Sequence, residues 1–195
     1  MAGYGLRPVK KTGADYNTGG FVELPIRASI ITAGTVSFFN GDTVKYTLGA
    51  SPAYGVEIMD APTTTNKSIG VVVGARWTDS SSTPQWGQSY PAGAAKTGTT
   101  VYLNIAAASG NVFMIEGSNA WDDDQVGCFN VVANGAGGNA NTGNSSKVLT
   151  NNNTSTGAGA VQVVGVVKDG VNESSATPDI LVVFNPGAIA AVELG

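Results

Sequence analysis

The stretch Ile69–Pro91, IGVVVGARWTDSSSTPQWGQSYP, decides the fold. Its first half is almost continuously apolar, through Ile69, Val71, Val72, Val73, Ala75 and Trp77. Thr78-Asp79-Ser80-Ser81-Ser82 then supplies a cluster of turn formers. The return half alternates, with Trp86 and Tyr90 separated by polar or small residues. β-branched and aromatic runs on either side of a Ser/Asp turn predict a hairpin. We read it as the central hairpin of an all-β domain, with Trp77 and Trp86 as structural residues.

Composition points the same way. The chain has 195 residues, enough for one domain with a real core. Only 12% are charged, while 27 are glycine. No long window carries apolar residues at helical spacing with charges opposite. Outward from the hairpin, short strands recur at the spacing of a sandwich or barrel. Before it, strands are predicted in Phe21–Ile31, where Pro25 marks an edge or kink, and in Tyr54–Met59. Val36–Phe39, Asn40-Gly41 and Asp42–Tyr46 read as a second hairpin with a type I′ turn, or as a strand starting after a loop. After it come Thr99–Ile105 and Val112–Glu116, on either side of a turn at Ala106–Asn111, then Gln125–Ala133, Val161–Val167 and Asp179–Phe184. The fold expected is a single β-sandwich or distorted β-barrel over residues 21–184. Residues 134–160, almost all Gly, Asn, Ser, Thr and Ala, read as a long loop. Residues 1–20 read as an extended N-terminal arm, with Tyr4, Leu6 and Val9 as anchors and Arg7, Lys10 and Lys11 as its basic half. Residues 185–195 read as a tail whose Ile189, Val192 and Leu194 need cover.

Several function classes lose ground at once. There is no His, so the commonest general base and metal ligand is missing. The single Cys, Cys128, rules out a disulfide framework or a multi-cysteine zinc site, and reads as a small buried hydrophobe. The expectation is a non-enzyme without a cofactor or metal. Asp122-Asp123-Asp124 lacks the spacing of a calcium loop and reads as a solvated turn. The net charge of −4 argues against a nucleic-acid partner. No apolar run approaches the ~20 residues of a spanning helix, and no signal-like segment opens the chain. Trp77, Trp86 and Trp121, together with Asp122–Asp124, would serve a carbohydrate-binding or adhesion module if the tryptophans formed an exposed platform. In a β protein they are more often core.

The order of motifs resembles a known family. GYGLRPVKK at the start, IGVVVGARWTDSSSTPQWGQSYPAG in the centre, TVYLNIAAASGNVFMIEG, DQVGCFNVVANGAGGNANTGNSSKVL and VQVVGVVKDGVNESSATPDILVVFNPGAI are similar, in this order, to the capsid decoration or cement proteins of tailed bacteriophages. The chain departs from that pattern at Asn185-Pro186, where the family usually carries Asn-His. The resemblance implies a structural virion protein on the capsid exterior, assembled in the bacterial cytoplasm. Its partners would be the major capsid protein and itself, as a homotrimer, with no membrane or nucleic acid. Tyr4, Leu6, Arg7, Val9, Lys10 and Lys11 are then the capsid-contact candidates. Ile189, Val192 and Leu194 are the inter-subunit candidates.

Overall fold

The computed structural model describes residues 4–11, 21–47, 55–121, 123–133, 138–154, 159–167 and 175–190. Among them the strands are β1 (Arg7–Lys11), β2 (Phe21–Pro25), β3 (Thr43–Thr47), β4 (Gly55–Ile58), β5 (Gly70–Thr78), β6 (Pro84–Gly87), β7 (Tyr102–Ala107), β8 (Asn111–Glu116), β9 (Phe129–Ala133), β10 (Val148–Thr154), β11 (Val161–Val166) and β12 (Asp179–Phe184). One short helix, α1, spans Ala28–Ala33. The first sheet has the order β1-β8-β12-β11-β9-β10. The second runs β2-β7-β5-β3-β4, with β6 also paired to β5. All the strand pairs are antiparallel. The sheets pack as a β-sandwich.

The Ile69–Pro91 hairpin forms as read. Trp77 lies opposite Gln85 and Thr78 opposite Pro84. The Asp79 carboxylate closes the turn by accepting from Ser81 N and Thr83 N, each at 2.9 Å. The apolar run of β5 has a definite cause: both its faces are covered. Val71 belongs to a core cluster between the sheets, with Ala106, Phe113, Ile115, Leu149, Val163 and Ile180. Val72 and Ala75 point the other way, into a second cluster with Ile26, Val44, Val56, Leu103 and Tyr90. A bulge between Val72 and Gly74 resets the alternation, which keeps Ala75 on the side of Val72. The second sheet curls around this cluster until its ends meet. Ile26 bridges Val56, and Arg27 N donates to Val56 O at 3.2 Å.

Four expectations change. The strand predicted over Phe21–Ile31 stops at Pro25, and the chain turns into α1. Six residues are too few for a stable isolated helix. Ile30 and Ile31 pack on the second core cluster, and Gly34, at φ 60°, closes the helix by donating to Ile30 O and Ile31 O. Pro25 does sit on an outer strand, as its missing N–H requires. The second hairpin is not made, and the other reading, a strand starting after a loop, holds for β3. Phe38 bridges Tyr90, while β3 pairs with β4 and β5. Gly41, at φ 96°, does turn the chain, but towards Gly5: a Cβ on Gly41 would lie 2.8 Å from Tyr4 O. The supposed loop 134–160 contains β10, an outer strand of the first sheet. Finally, β7 and β8 are not a pair: the 107–111 corner carries the chain from one sheet to the other.

Candidate functional site

The segment expected to be an arm is partly a strand. Arg7–Lys11 pairs with β8, with a bulge between Pro8 and Lys10, and forms the outer edge of the first sheet. Leu6 is fully buried in the core between the sheets. It therefore has no surface to offer a capsid, which corrects its place among the anchors. Tyr4 is half-buried, and its hydroxyl donates to Asp179 Oδ1 at 2.6 Å. Burial, then the neighbouring carboxylate, push the phenol's pKa upward. The Arg7 guanidinium lies 4.3 Å from the centre of the Tyr4 ring. Val9 is exposed. Lys10 and Lys11 belong to β1, but their side chains lie outside the described residues, as do residues 1–3 and 12–20.

Beside β1, an open groove of about 520 Å³ separates this edge from the second sheet. Its walls include Arg7 and Pro8 from β1, Phe21 from β2, Val73, Gln88 and Asn144. Phe21 and Val22 both stand in solvent, on opposite faces of an outer strand. Val9 on β1 and Phe21 and Val22 on β2 are thus exposed apolar residues on the outer strands of the two sheets. Sequence reasoning missed Phe21 and Val22, because an apolar alternating strand reads as core.

Further along the second sheet, the face shared by Val71 and Ala106 runs out beyond the cover of the first sheet. Register places Trp86 opposite Arg76, Arg76 opposite Tyr102, and Glu23 opposite Asn104. The Arg76 guanidinium stacks over the Tyr102 ring at 4.1 Å. It also holds Glu23 with two hydrogen bonds, one from Nε to Oε1 and one from Nη2 to Oε2 at 2.8 Å. The Arg76 hydrogen bond draws the Glu23 pKa down. Trp86 is 71% exposed, which corrects its reading as a structural residue. Trp77 does pack inward, edge-on to Tyr90 with ring centres 5.7 Å apart. Trp121 is buried in the other cluster. A platform of all three tryptophans is therefore not assembled.

A buried polar latch explains why the Asn/Gly-rich segment holds its place. The Asp42 carboxylate accepts from Ser145 Oγ at 2.6 Å and from Phe39 N at 2.9 Å. Lys147, also buried, donates from Nζ to Met59 O at 3.0 Å and Asp60 O at 2.7 Å. Burial raises the Asp42 pKa, against the pull of Ser145, Phe39 N and Lys147. Burial lowers that of Lys147. Nothing in the local sequence singles out Lys147 as the buried lysine.

The remaining candidates are quickly placed. Asp123–Gln125 is a short 3-10 turn with Asp124 exposed, and Asp122 lies outside the described residues. No group of three or more His, Cys, Asp or Glu among the described residues is placed to hold a metal ion. Cys128 is half-buried rather than buried. Ile189, expected at a subunit contact, bridges Ser68 and packs on its own core. Val192 and Leu194 lie outside the described residues. No helix among the described residues is long and apolar enough to cross a membrane. No family model, curated protein or solved structure matches the chain.

Proposed function

We propose that the protein is a structural virion component that binds the outside of a bacteriophage capsid and ties neighbouring major capsid subunits together. The motif order gives the reading its origin. The observation that carries it is the exposure of the apolar residues Val9, Phe21 and Val22 on two outer strands, with Phe21 and Arg7 walling one groove. Outer strands offer unpaired backbone groups, and exposed apolar side chains on them are a liability unless something covers them. A capsid surface would cover them. The contact is therefore made by the surface residues of β1 and by Phe21 and Val22 at the start of β2, with Leu6 and Tyr4 holding β1 in place from beneath. A modest contact per copy suffices, because a shell repeats it many times and an oligomer engages several sites together. The oligomer is a homotrimer.

The test mixes the purified protein with undecorated capsids and looks for icosahedrally ordered added density. Paired substitutions Phe21→Ser and Arg7→Glu should reduce co-sedimentation while leaving the protein folded. Absence of ordered density on the shell would end this reading. A native mass other than three chains would end the trimer. Deleting residues 1–20 is a poorer test, because it also removes Leu6 from the core and β1 from its sheet.

A further inference from the structure

We propose that the open end of the second sheet is a binding site for a neutral glycan chain, beyond the capsid-binding edge and independent of it. Trp86, Arg76, Tyr102 and Pro25 stand in one cross-strand row. At ~4.8 Å between strands, the row is about 14 Å long. Gly74, Asn104 and Glu23 form the next row. Arg76 lies over the Tyr102 ring and reaches Glu23, so the ion pair joins the two rows. Past Tyr102 and Pro25 the shelf leads into a groove of about 350 Å³, lined by Thr99, Thr100 and Ile31 among others.

The chemistry of these groups defines the ligand. The shelf's two charges, Arg76 and Glu23, neutralise one another, and none of the residues lining the groove is charged. An anionic polymer would find no uncommitted cation here and would have to break the ion pair. The ligand must also offer apolar surface to the exposed Trp86 ring, and hydroxyls to Asn104, the threonines and the remaining Arg76 N–H groups. A pyranose ring does both, with C–H groups on its faces and hydroxyls around its rim. The row and groove are long enough for more than one sugar, so the ligand is a chain.

Affinity electrophoresis through gels containing dextran, galactomannan or xylan tests this, with alginate as the anionic control. At least one neutral gel should retard the protein, and alginate should not. Trp86→Ala should weaken the retardation about tenfold or more, whereas Trp86→Phe should keep part of it. Thermal melting shows that both variants are folded. Trp86→Ala should still bind capsids, which separates this site from the one proposed above. The proposal is overturned if no neutral gel retards the protein or if retardation survives Trp86→Ala. It is equally overturned if Trp86→Ala abolishes capsid binding, since the shelf would then be a protein contact.

Discussion

Replacing Leu6 with Ala separates two views of the N-terminal segment. If residues 1–20 were an arm laid on a partner, the isolated protein would not notice the change. The structure puts Leu6 at 0% exposure among Phe113, Leu149 and the other residues of the inter-sheet core. Losing three carbon groups at ~0.8 kcal/mol each costs about 2.4 kcal/mol in transfer free energy. The cavity adds to this, because the backbone there cannot close in. Gly5 N is tied to Lys147 O and Leu6 N to Gly41 O, each at 3.2 Å. The total should fall near 3–4 kcal/mol, within the range for buried Leu→Ala changes. For a chain of this size, that lowers the melting temperature by roughly 6–16 °C. Urea unfolding of the purified protein reads the difference, and the slope against denaturant should stay constant. Val9→Ala, on the same strand but exposed, serves as the control and should stay within about 0.5 kcal/mol of wild type. A Leu6→Ala protein as stable as wild type would refute the placement of Leu6 and return the segment to the role of a free arm.

Other outcomes follow from the same packing. Trp77→Ala should cost about 3 kcal/mol, because the ring packs on Tyr90, whereas Trp86→Ala should change stability by under about 0.5 kcal/mol; comparable losses would mean both rings are core. Gly41→Ala should destabilise by at least about 1–3 kcal/mol, since φ is 96° and the new Cβ would meet Tyr4 O and Gly5 Cα, and a neutral effect in a denaturant melt would contradict that geometry. Asp42 has a raised pKa in the fold, so the folded state holds its proton more tightly than the unfolded state does. Its contribution is greatest at low pH and declines as pH rises from the ordinary carboxylate range through the raised value. Stability measured against pH for wild type minus Asp42→Asn should therefore fall across that window, and a flat or rising difference would show that Lys147 and the hydrogen bonds outweigh burial. Phe21→Ser should leave the melting temperature nearly unchanged while weakening capsid co-sedimentation, because the ring stands in solvent.

The strand signals were legible because alternation, β-branching and turn residues act over a few positions. They gave the all-β class, the β5–β6 hairpin and the outer position of Pro25's strand. Burial on both faces, which accounts for the continuous apolar run of β5, came from the packing. Alternation does not say which strands pair. The 107–111 corner looked like a hairpin turn and proved to be a crossing between sheets. Nor does it say which face of a strand is covered, so the exposure of Phe21, Val22 and Trp86 was not readable. The segment 134–160 was misread for a related reason. Its polar composition suits a loop, yet Ser145 and Lys147 are buried by Asp42 and by the carbonyls of Met59 and Asp60.

The Ile69–Pro91 sequence by itself determined that this chain builds sheets, and where the central hairpin turns. Tertiary structure alone decided that Leu6 plugs the inter-sheet core and that Arg7–Lys11 is a sheet edge. The physical reason is distance along the chain. Ser145 bonds to a residue 103 positions away, and Tyr4 to one 175 positions away. Such partners leave no local pattern, because the residue types at each end suit a solvated loop equally well until the fold removes the water.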